Sequence, residues 1–301
     1  MRVLRGVYRV RLIVIAVGLV ICLVNAVRNI AGLPQPLPVV WPVVVYGAVA
    51  GIGAMLLLSL LGGKLHPRHE RRTLQAPVRG RWLALNTPSS AVPSHGVRIF
   101  GQAYAIDLAA RPAEGPDPPY DRGGMVPPEA FAAFGAPIHA MAAGTVVRTC
   151  GWQRDHRSRT SGWAHLWLFV EGNVRQLGGP LWVLGNHVVI RHDDGAYAAY
   201  AHLRRGSLRV RRGERVEAGQ LLGECGNSGN TTEPHLHAQL MDRASLLTAA
   251  GIPFEFAAVE IGPRDDPIWE PYAHRDSGMN LAGVPHSGEY LLVPEDAGSP
   301  R

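Results

Sequence analysis

The sequence predicts a mainly β protein, built on an antiparallel, folded or barrel-like sheet and preceded by two apolar N-terminal transmembrane-type helices. Three observations predict it. The run Asn186-His-Val-Val-Ile-Arg-His-Asp-Asp-Gly-Ala-Tyr-Ala-Ala-Tyr-Ala-His-Leu203 reads as two apolar strands joined at Asp193-Asp-Gly195, and Asp-Gly between such runs is a strong hairpin signal. From Gly185 to Leu240 short β elements follow one another closely, leaving no room for the helical crossover that parallel pairing needs. Ahead of them, residues 12–27 and 37–61 are two apolar stretches without an acidic residue.

In chain order, residues 1–63 form a membrane region. Its second run is long enough to cross a bilayer of about 30 Å, while the first, at about sixteen residues, suits a short span or a signal-type hydrophobic region. Residues 64–80 make a basic linker, residues 81–257 the β domain, and residues 258–301 a C-terminal extension and tail, frayed from residue 296 onward. Within the β domain, residues 109–128, rich in proline and glycine, read as a long loop. Residues 151–185 read as an insertion with its own apolar strand at 163–170. Residues 210–223 give two short strands between glycine turns, leading through Gly226-Asn-Ser-Gly229 into the strand after Pro234.

The stretch richest in chemistry is Pro234-His235-Leu236-His237. Strand side chains alternate faces, so His235 and His237 point the same way with Cα atoms roughly 6.5–7 Å apart. Neutral imidazole is the commonest protein ligand for metals such as zinc, and a pKa of about 6.5 lets histidine carry protons near neutral pH. The spacing suits one metal ligand beside one catalytic base. It equally suits two hydrogen-bonded structural histidines, and the pair alone does not choose.

Five blocks in order are more specific: Gly135-Ala-Pro-Ile-His-Ala-Met-Ala-Ala-Gly-Thr-Val-Val147; His187-Val-Val-Ile-Arg-His192 with Tyr200-Ala-His-Leu203; residues 213–223; Gly226-Asn-Ser-Gly229; and His235-Leu-His237. Together, over about residues 80–257, they resemble the lysostaphin-type, LytM-like zinc metalloendopeptidases that cut peptidoglycan peptides. The resemblance implies a LytM-type domain, Zn2+ as cofactor and a peptidoglycan peptide as substrate. It implies His237 as a zinc ligand, with His235 as general base and His202 as donor to the transition-state oxyanion, or the reverse. Zinc in such a site lowers the pKa of water towards about 7 and polarises the scissile carbonyl.

The family pattern draws its other two ligands from His-x-x-x-Asp on an early strand. Here the corresponding segment is Gly101-Gln-Ala-Tyr-Ala-Ile-Asp-Leu108, which keeps Asp107 but has Ala103 four residues earlier. Two ligands hold zinc poorly, since catalytic sites use three protein ligands. The nearest replacement is His95 in Val92-Pro-Ser-His-Gly96, which a loop through Gly96 and Gly101 can fold back. Sequences of this kind that read His and then Gln-x-Tyr-Ala-x-Asp resemble the arrangement. Gln102 is a poorer donor, because an amide oxygen is weak beside imidazole or carboxylate. The expected metal set is therefore His95, Asp107 and His237.

The remaining histidines carry no such pattern. His187 and His192 stand at odd spacing on an apolar strand, so they face opposite sides, with one or both expected at the surface. His139 reads as a strand residue facing away from the metal. His156, His165, His274 and His286 lie in polar or irregular segments, and His66 and His69 in a basic run beside the membrane region.

A formal net charge of +6 is partly the flanks of the apolar runs, where basic residues meet anionic head groups. No helix-turn-helix, stacking module or phosphate-cradling loop accompanies it, so nucleic acid is not an expected partner. Arg2, Arg5, Arg9 and Arg11 precede the first run and Lys64, Arg68, Arg71 and Arg72 follow the second, so the positive-inside rule draws both flanks to the cytoplasm. A wall substrate demands the opposite, and the expectation adopted is a cell-membrane protein with an extracytoplasmic catalytic domain. Cys150 and Cys225 would suit a disulfide outside the cell, or two free thiols. The expected function is a membrane-anchored zinc metalloendopeptidase of peptidoglycan. The alternative, kept open by Ala103, is a non-catalytic domain of the same fold that binds cell wall or regulates a partner hydrolase.

Overall fold

The computed structural model describes residues 2–114, 118–120, 123–159, 172, 175, 178–269 and 275–295. The strand expected at 163–170, the tail from 296, His165 and His274 lie outside these residues. The chain divides into two compact units, residues 1–68 and 69–301.

The first unit is a helical pair, α1 (Arg2–Ile30) and α2 (Val40–Leu60). α1 runs well beyond the sixteen-residue apolar stretch, continuing back through Arg5, Arg9 and Arg11. The Arg11 guanidinium lies over the Tyr8 ring at 3.7 Å and donates to the Tyr8 carbonyl at 2.7 Å, so its charge stays paired on the helix itself. Gly18 lets the helices approach closely, because a Cβ there would meet Ile52 at 2.8 Å. Trp41 Nε1 donates to Asn25 Oδ1 at 2.9 Å across the pair. Two segments, Val3–Ile30 and Val40–Leu60, are long and apolar enough to cross a membrane, and their large side chains remain mostly exposed.

The second unit is mainly β. Its strands are β1 (Arg72–Gln75), β2 (Gly80–Ala84), β3 (Ile106–Ala110), β4 (Met125–Val126), β5 (Pro137–His139), β6 (Gly144–Cys150), β7 (Ser158–Arg159) and β8 (Asn186–His192). They continue with β9 (Tyr197–Leu203), β10 (Arg215–Val216), β11 (Leu221–Glu224), β12 (Leu236–Met241), β13 (Phe254–Ala257), β14 (Glu260–Ile261) and β15 (Tyr290–Val293). Nine of them form one antiparallel sheet in the order β10-β6-β8-β9-β12-β3-β2-β15-β14. The Asp193-Asp-Gly195 hairpin joins β8 to β9 as expected. The barrel-like expectation does not hold: the sheet is open, with β10 and β14 at its two ends. Residues read from the sequence as a C-terminal extension supply β14 and β15 and so widen the sheet beyond β2.

Alternation along the central strands builds two layers. Ile106 and Leu108 of β3, Val188 and Ile190 of β8, Ala198 and Tyr200 of β9, and Leu236, Ala238 and Leu240 of β12 enter one core. Two small ribbons cover that face. They are the β5–β11 pair through Ile138 and Leu222, and the parallel β1–β13 pair through Leu74, Phe254 and Phe256. Tyr200 is fully buried there and its hydroxyl accepts the Met141 amide at 2.7 Å. The opposite face carries a second cluster with Val189, Ala199, Ala201 and Met241.

Coverage on both faces corrects the reading of His187 and His192. They do flank β8 at odd spacing, but both are buried, because β8 lies between β6 and β9 with packing above and below. His187 donates from Nδ1 to the Gly185 carbonyl at 2.7 Å, while neither ring nitrogen of His192 has a partner. Burial lowers the pKa of His192 despite the opposing charges of Asp194 and Asp193, and burial lowers that of His187 too. The unfolded chain takes up these protons near pH 6.5 and the folded chain resists, so this contribution to stability is present above that pH and lost below it. Thermal melts should therefore fall on acidification from pH 7.5 to 5. His192→Leu should flatten the slope by up to about 1.4 kcal/mol per pH unit, one proton's worth.

Candidate metal centre

The second layer opens, beside α-helical turn Pro180–Leu184, on a cavity of about 290 Å³ lined among others by Asn86, His95, Asp107, His202, His235 and His237. Three neighbouring strands bring Asp107, His202 and His237 there. Asp107 on β3 stands directly opposite His237 on β12, and His237 stands opposite Ala201 on β9. Each strand sends its apolar residues to the core, which leaves Asp107 and His237 on the other face. His202 arrives differently. Regular alternation after Ala198 and Tyr200 would send it into the core, but it adopts φ +61°, a left-handed conformation that turns it to the cavity at a cost of order 1–3 kcal/mol.

His95 comes from a loop. β3 begins only at Ile106, and the residues before it form a tight turn over Ile99–Tyr104 with Phe100 at φ +59° and Gly101 at φ +78°. Position 103 therefore lies off the strand and fully buried, unable to present a ligand beside Asp107. The loop is held back on itself by Ser94 N–H donating to the Ala103 carbonyl at 3.1 Å. It places His95 Nε2 at 2.8 Å from Asp107 Oδ2. Gln102, the poorer candidate, also lines the cavity.

The hydrogen bonds on the far sides of the rings decide what the rings present. His202 Nδ1 donates to the Ser228 carbonyl and His235 Nδ1 to the Glu233 carbonyl, each at 2.8 Å. Ser94 Oγ donates to the Gln102 carbonyl at 3.4 Å and so accepts from His95 Nδ1 at 3.0 Å. His237 Nε2 lies 2.8 Å from Gln239 Oε1. With the rings neutral, every far nitrogen thus holds the proton, and the near nitrogens are lone pairs aimed into the cavity. His237 Nδ1 and Asp107 Oδ1 stand 2.9 Å apart, and His235 Nε2 lies 3.7 Å from the same oxygen. Asn86 Nδ2 donates to Asp107 Oδ2 at 2.8 Å.

Two acceptors at such distances repel unless something positive lies between them. Burial by itself would raise the Asp107 pKa; charge at His95 and His235 and bonds from His237 and His95 outweigh it and hold the carboxyl well below its ordinary value. Burial disfavours imidazolium at His237, and the Asp107 bond and charge overcome it and raise its pKa. Burial and the charges of His235 and His237 push His202 well below its usual value, so it is neutral. A proton satisfies one contact at a time. One divalent ion satisfies both, and ligand atoms of His95, Asp107 and His237 all lie within 4.8 Å of one another. Two imidazoles and a carboxylate, with further lone pairs beside them, fit zinc's preference for nitrogen and oxygen donors and three protein ligands.

All five sequence-derived site residues, His95, Asp107, His202, His235 and His237, line this one cavity. The sequence reading missed the residues that orient them: Asn86, Ser94, Ser228 and Gln239. Gln239 had a signal, since it follows His237 by two and shares its face. The carbonyls of Gln102, Ser228 and Glu233 had none, because a backbone acceptor leaves no trace in residue identity. His139, expected to face away from the metal, does not line the cavity. His156 bonds through Nε2 with the Gly229 carbonyl at 3.0 Å, in the loop beneath the site. Gly185 and Gly229 let that loop press close, since a Cβ on either would meet backbone within 2.6 Å. Cys150 and Cys225 are free thiols.

A buried ion pair anchors the far end of the same loop. Arg111 Nη2 donates to Glu233 Oε1 at 3.1 Å, with both side chains at most 7% exposed, and the Glu233 carbonyl is the one that orients His235. Arg111→Ala leaves the Glu233 charge buried alone and should destabilise the fold by about 3–5 kcal/mol. Chemical unfolding should show most of that loss regained by Arg111→Met combined with Glu233→Leu.

Peptidase family M23 matches residues 169–248. Peptidoglycan DD-endopeptidase ShyA of Vibrio cholerae is 41% identical over 71 residues, covering 23% of this chain and 16% of that protein. Lysostaphin of Staphylococcus simulans is 29% identical over 144 residues, covering 47% of this chain and 23% of that protein. Lipoprotein NlpD of Yersinia enterocolitica is 35% identical over 69 residues, covering 23% of this chain and 68% of that protein. The chain thus spans less than a quarter of the length of the first two.

Proposed function

This chain belongs to peptidase family M23, and from that premise we propose that it is a membrane-anchored zinc metalloendopeptidase hydrolysing peptide bonds of peptidoglycan. The observation that supports it is the set of imidazole lone pairs converging on the buried Asp107 carboxylate. His95 Nε2, Asp107 and His237 Nδ1 would hold the metal, and zinc there would supply Lewis-acid polarisation of the scissile carbonyl. His202 and His235 remain, each with Nδ1 bonded to a backbone carbonyl and its ring lining the cavity. Each can take a proton from the attacking water at Nε2 and, having taken it, donate at the same atom to the leaving amine or the oxyanion. We assign the proton-accepting role to His235, which approaches Asp107, and the oxyanion role to His202, which would fill it after taking up a proton from solvent at Nε2 as negative charge develops on the carbonyl oxygen. Residues 81–257 make up the proposed catalytic domain, residues 1–63 the membrane region with 64–80 as linker, and residues 258–301 an extension that adds to the sheet. α1 and α2 would anchor the chain in the cell membrane with the catalytic domain outside.

Metal analysis of the purified chain should find one zinc per molecule, and the protein should release soluble muropeptides from peptidoglycan sacculi. Asp107→Ala, His95→Ala and His237→Ala should each lose stoichiometric zinc. His202→Ala and His235→Ala should keep it and lose about 10²-fold or more in turnover. Zinc without hydrolysis in the unmodified chain would favour a binding or regulatory role with a protein partner. Stoichiometric zinc in Asp107→Ala would remove the assignment.

Orientation is checked separately. Protease added to intact spheroplasts should digest the β unit. Protection until the membrane is lysed would place that unit in the cytoplasm, as the basic flanks alone require.

A further inference from the structure

Building on the proposed zinc site, we propose that Gln239 is a positioning residue that couples the two metal-binding arms: it fixes the ring state of His237 and latches the loop that carries His95. Gln239 is fully buried on β12, and its amide is bonded at both ends. Its Nε2 donates to the Phe100 carbonyl at 2.8 Å and lies 2.9 Å from Met241 Sδ; its Oε1 faces His237 Nε2 at 2.8 Å.

The carbonyl of Phe100 can only accept, so the NH2 side of the amide must face it and the oxygen must face His237. That makes His237 Nε2 the donor and leaves Nδ1 as a lone pair on the Asp107 side. One amide therefore transmits an orientation from the loop to the ligand.

The latch matters because His95 stands where the family pattern has no ligand. A residue delivered by a loop twelve positions before Asp107 lacks the strand pairing that fixes Asp107 and His237. The loop is instead seated on the tail of β12. Phe100 and Gly101 both have positive φ, and a Cβ at Gly101 would collide with Met241 Cγ at 2.7 Å and Sδ at 2.8 Å. His237, Gln239 and Met241 share one face of β12, so ligand, amide and loop seat follow at two-residue intervals along one rigid strand.

The experiment uses the full chain in detergent and two substitutions of similar size. Gln239→Leu removes both bonds. Gln239→Glu keeps an acceptor for His237 Nε2–H but sets a second acceptor against the Phe100 carbonyl, releasing the latch alone.

Hydrogen–deuterium exchange of a peptide covering residues 94–105 in the metal-free chain should quicken about tenfold or more in both variants. Zinc affinity, measured by competition with a chromophoric chelator, should fall about 10–100-fold in Gln239→Leu, the usual effect of losing an outer-shell partner, and by less in Gln239→Glu. A residue that merely fills the core would show the reverse order, because a buried carboxylate disturbs packing more than leucine. Exchange and affinity both within twofold of the unmodified chain in Gln239→Leu overturn the proposal, as does that reversed order. Should the unmodified chain bind no zinc, the metal assignment fails by itself, and the exchange measurement still decides the latch.

Discussion

The buried carboxylate of Asp107 governs the arrangement of the whole β unit. A charge withdrawn from water is costly unless it is paired or hydrogen-bonded, and by several kcal/mol. Among the described residues no lysine or arginine bonds to it; the nearby buried guanidinium, Arg111, is committed to Glu233. Asn86 donates to Asp107, and the imidazoles around it, when neutral, direct their protons outward to carbonyl, amide and hydroxyl oxygens. With those rings neutral, the pocket is rich in acceptors and short of positive charge. A cation resolves that imbalance.

Much of this was legible in residue order. Asp193-Asp-Gly195 announced the β8–β9 hairpin, and the spacing of His235 and His237 put both on one face. The family resemblance pointed to Asp107 and His202, and the gap at Ala103 pointed to His95. What stayed hidden depends on three-dimensional coverage. Whether a sheet closes depends on edge pairing, and nothing in the two-residue β10 or β14 signals that they stay at the ends. His187 and His192 read as surface residues because polarity implies exposure only when one face of a strand meets water. β8 has none. The apolar run of sixteen residues likewise understated α1, since Arg11 folds its charge onto Tyr8 and the helix continues through it.

The absent histidine at position 103 has a geometric cause. The family pattern presupposes a strand that already runs four residues before the aspartate, so that both side chains meet on one face. Here the chain is still turning through Phe100 and Gly101, and β3 starts one residue before Asp107. Spacing along the sequence is then a poor guide to spacing in the site, and a residue three times farther back reaches the carboxylate.

Chemistry and stability are joined most tightly on β12. Leu236, Ala238 and Leu240 enter the main core while His237 faces the cavity and Gln239 is buried beside it on the same face, so one strand serves both layers. Because strand periodicity is two, a slip of a single residue would bury the imidazole among the alkyl side chains and turn leucines toward Asp107. The apolar residues that alternate with His237 and Gln239 hold that register. Five consecutive pairings with β9 and three with β3 distribute the constraint on both sides of β12. The alignment of His237 with Asp107 is therefore maintained by the packing of Leu236, Ala238 and Leu240 on the opposite face, and any substitution that loosens those three acts on the site without touching it.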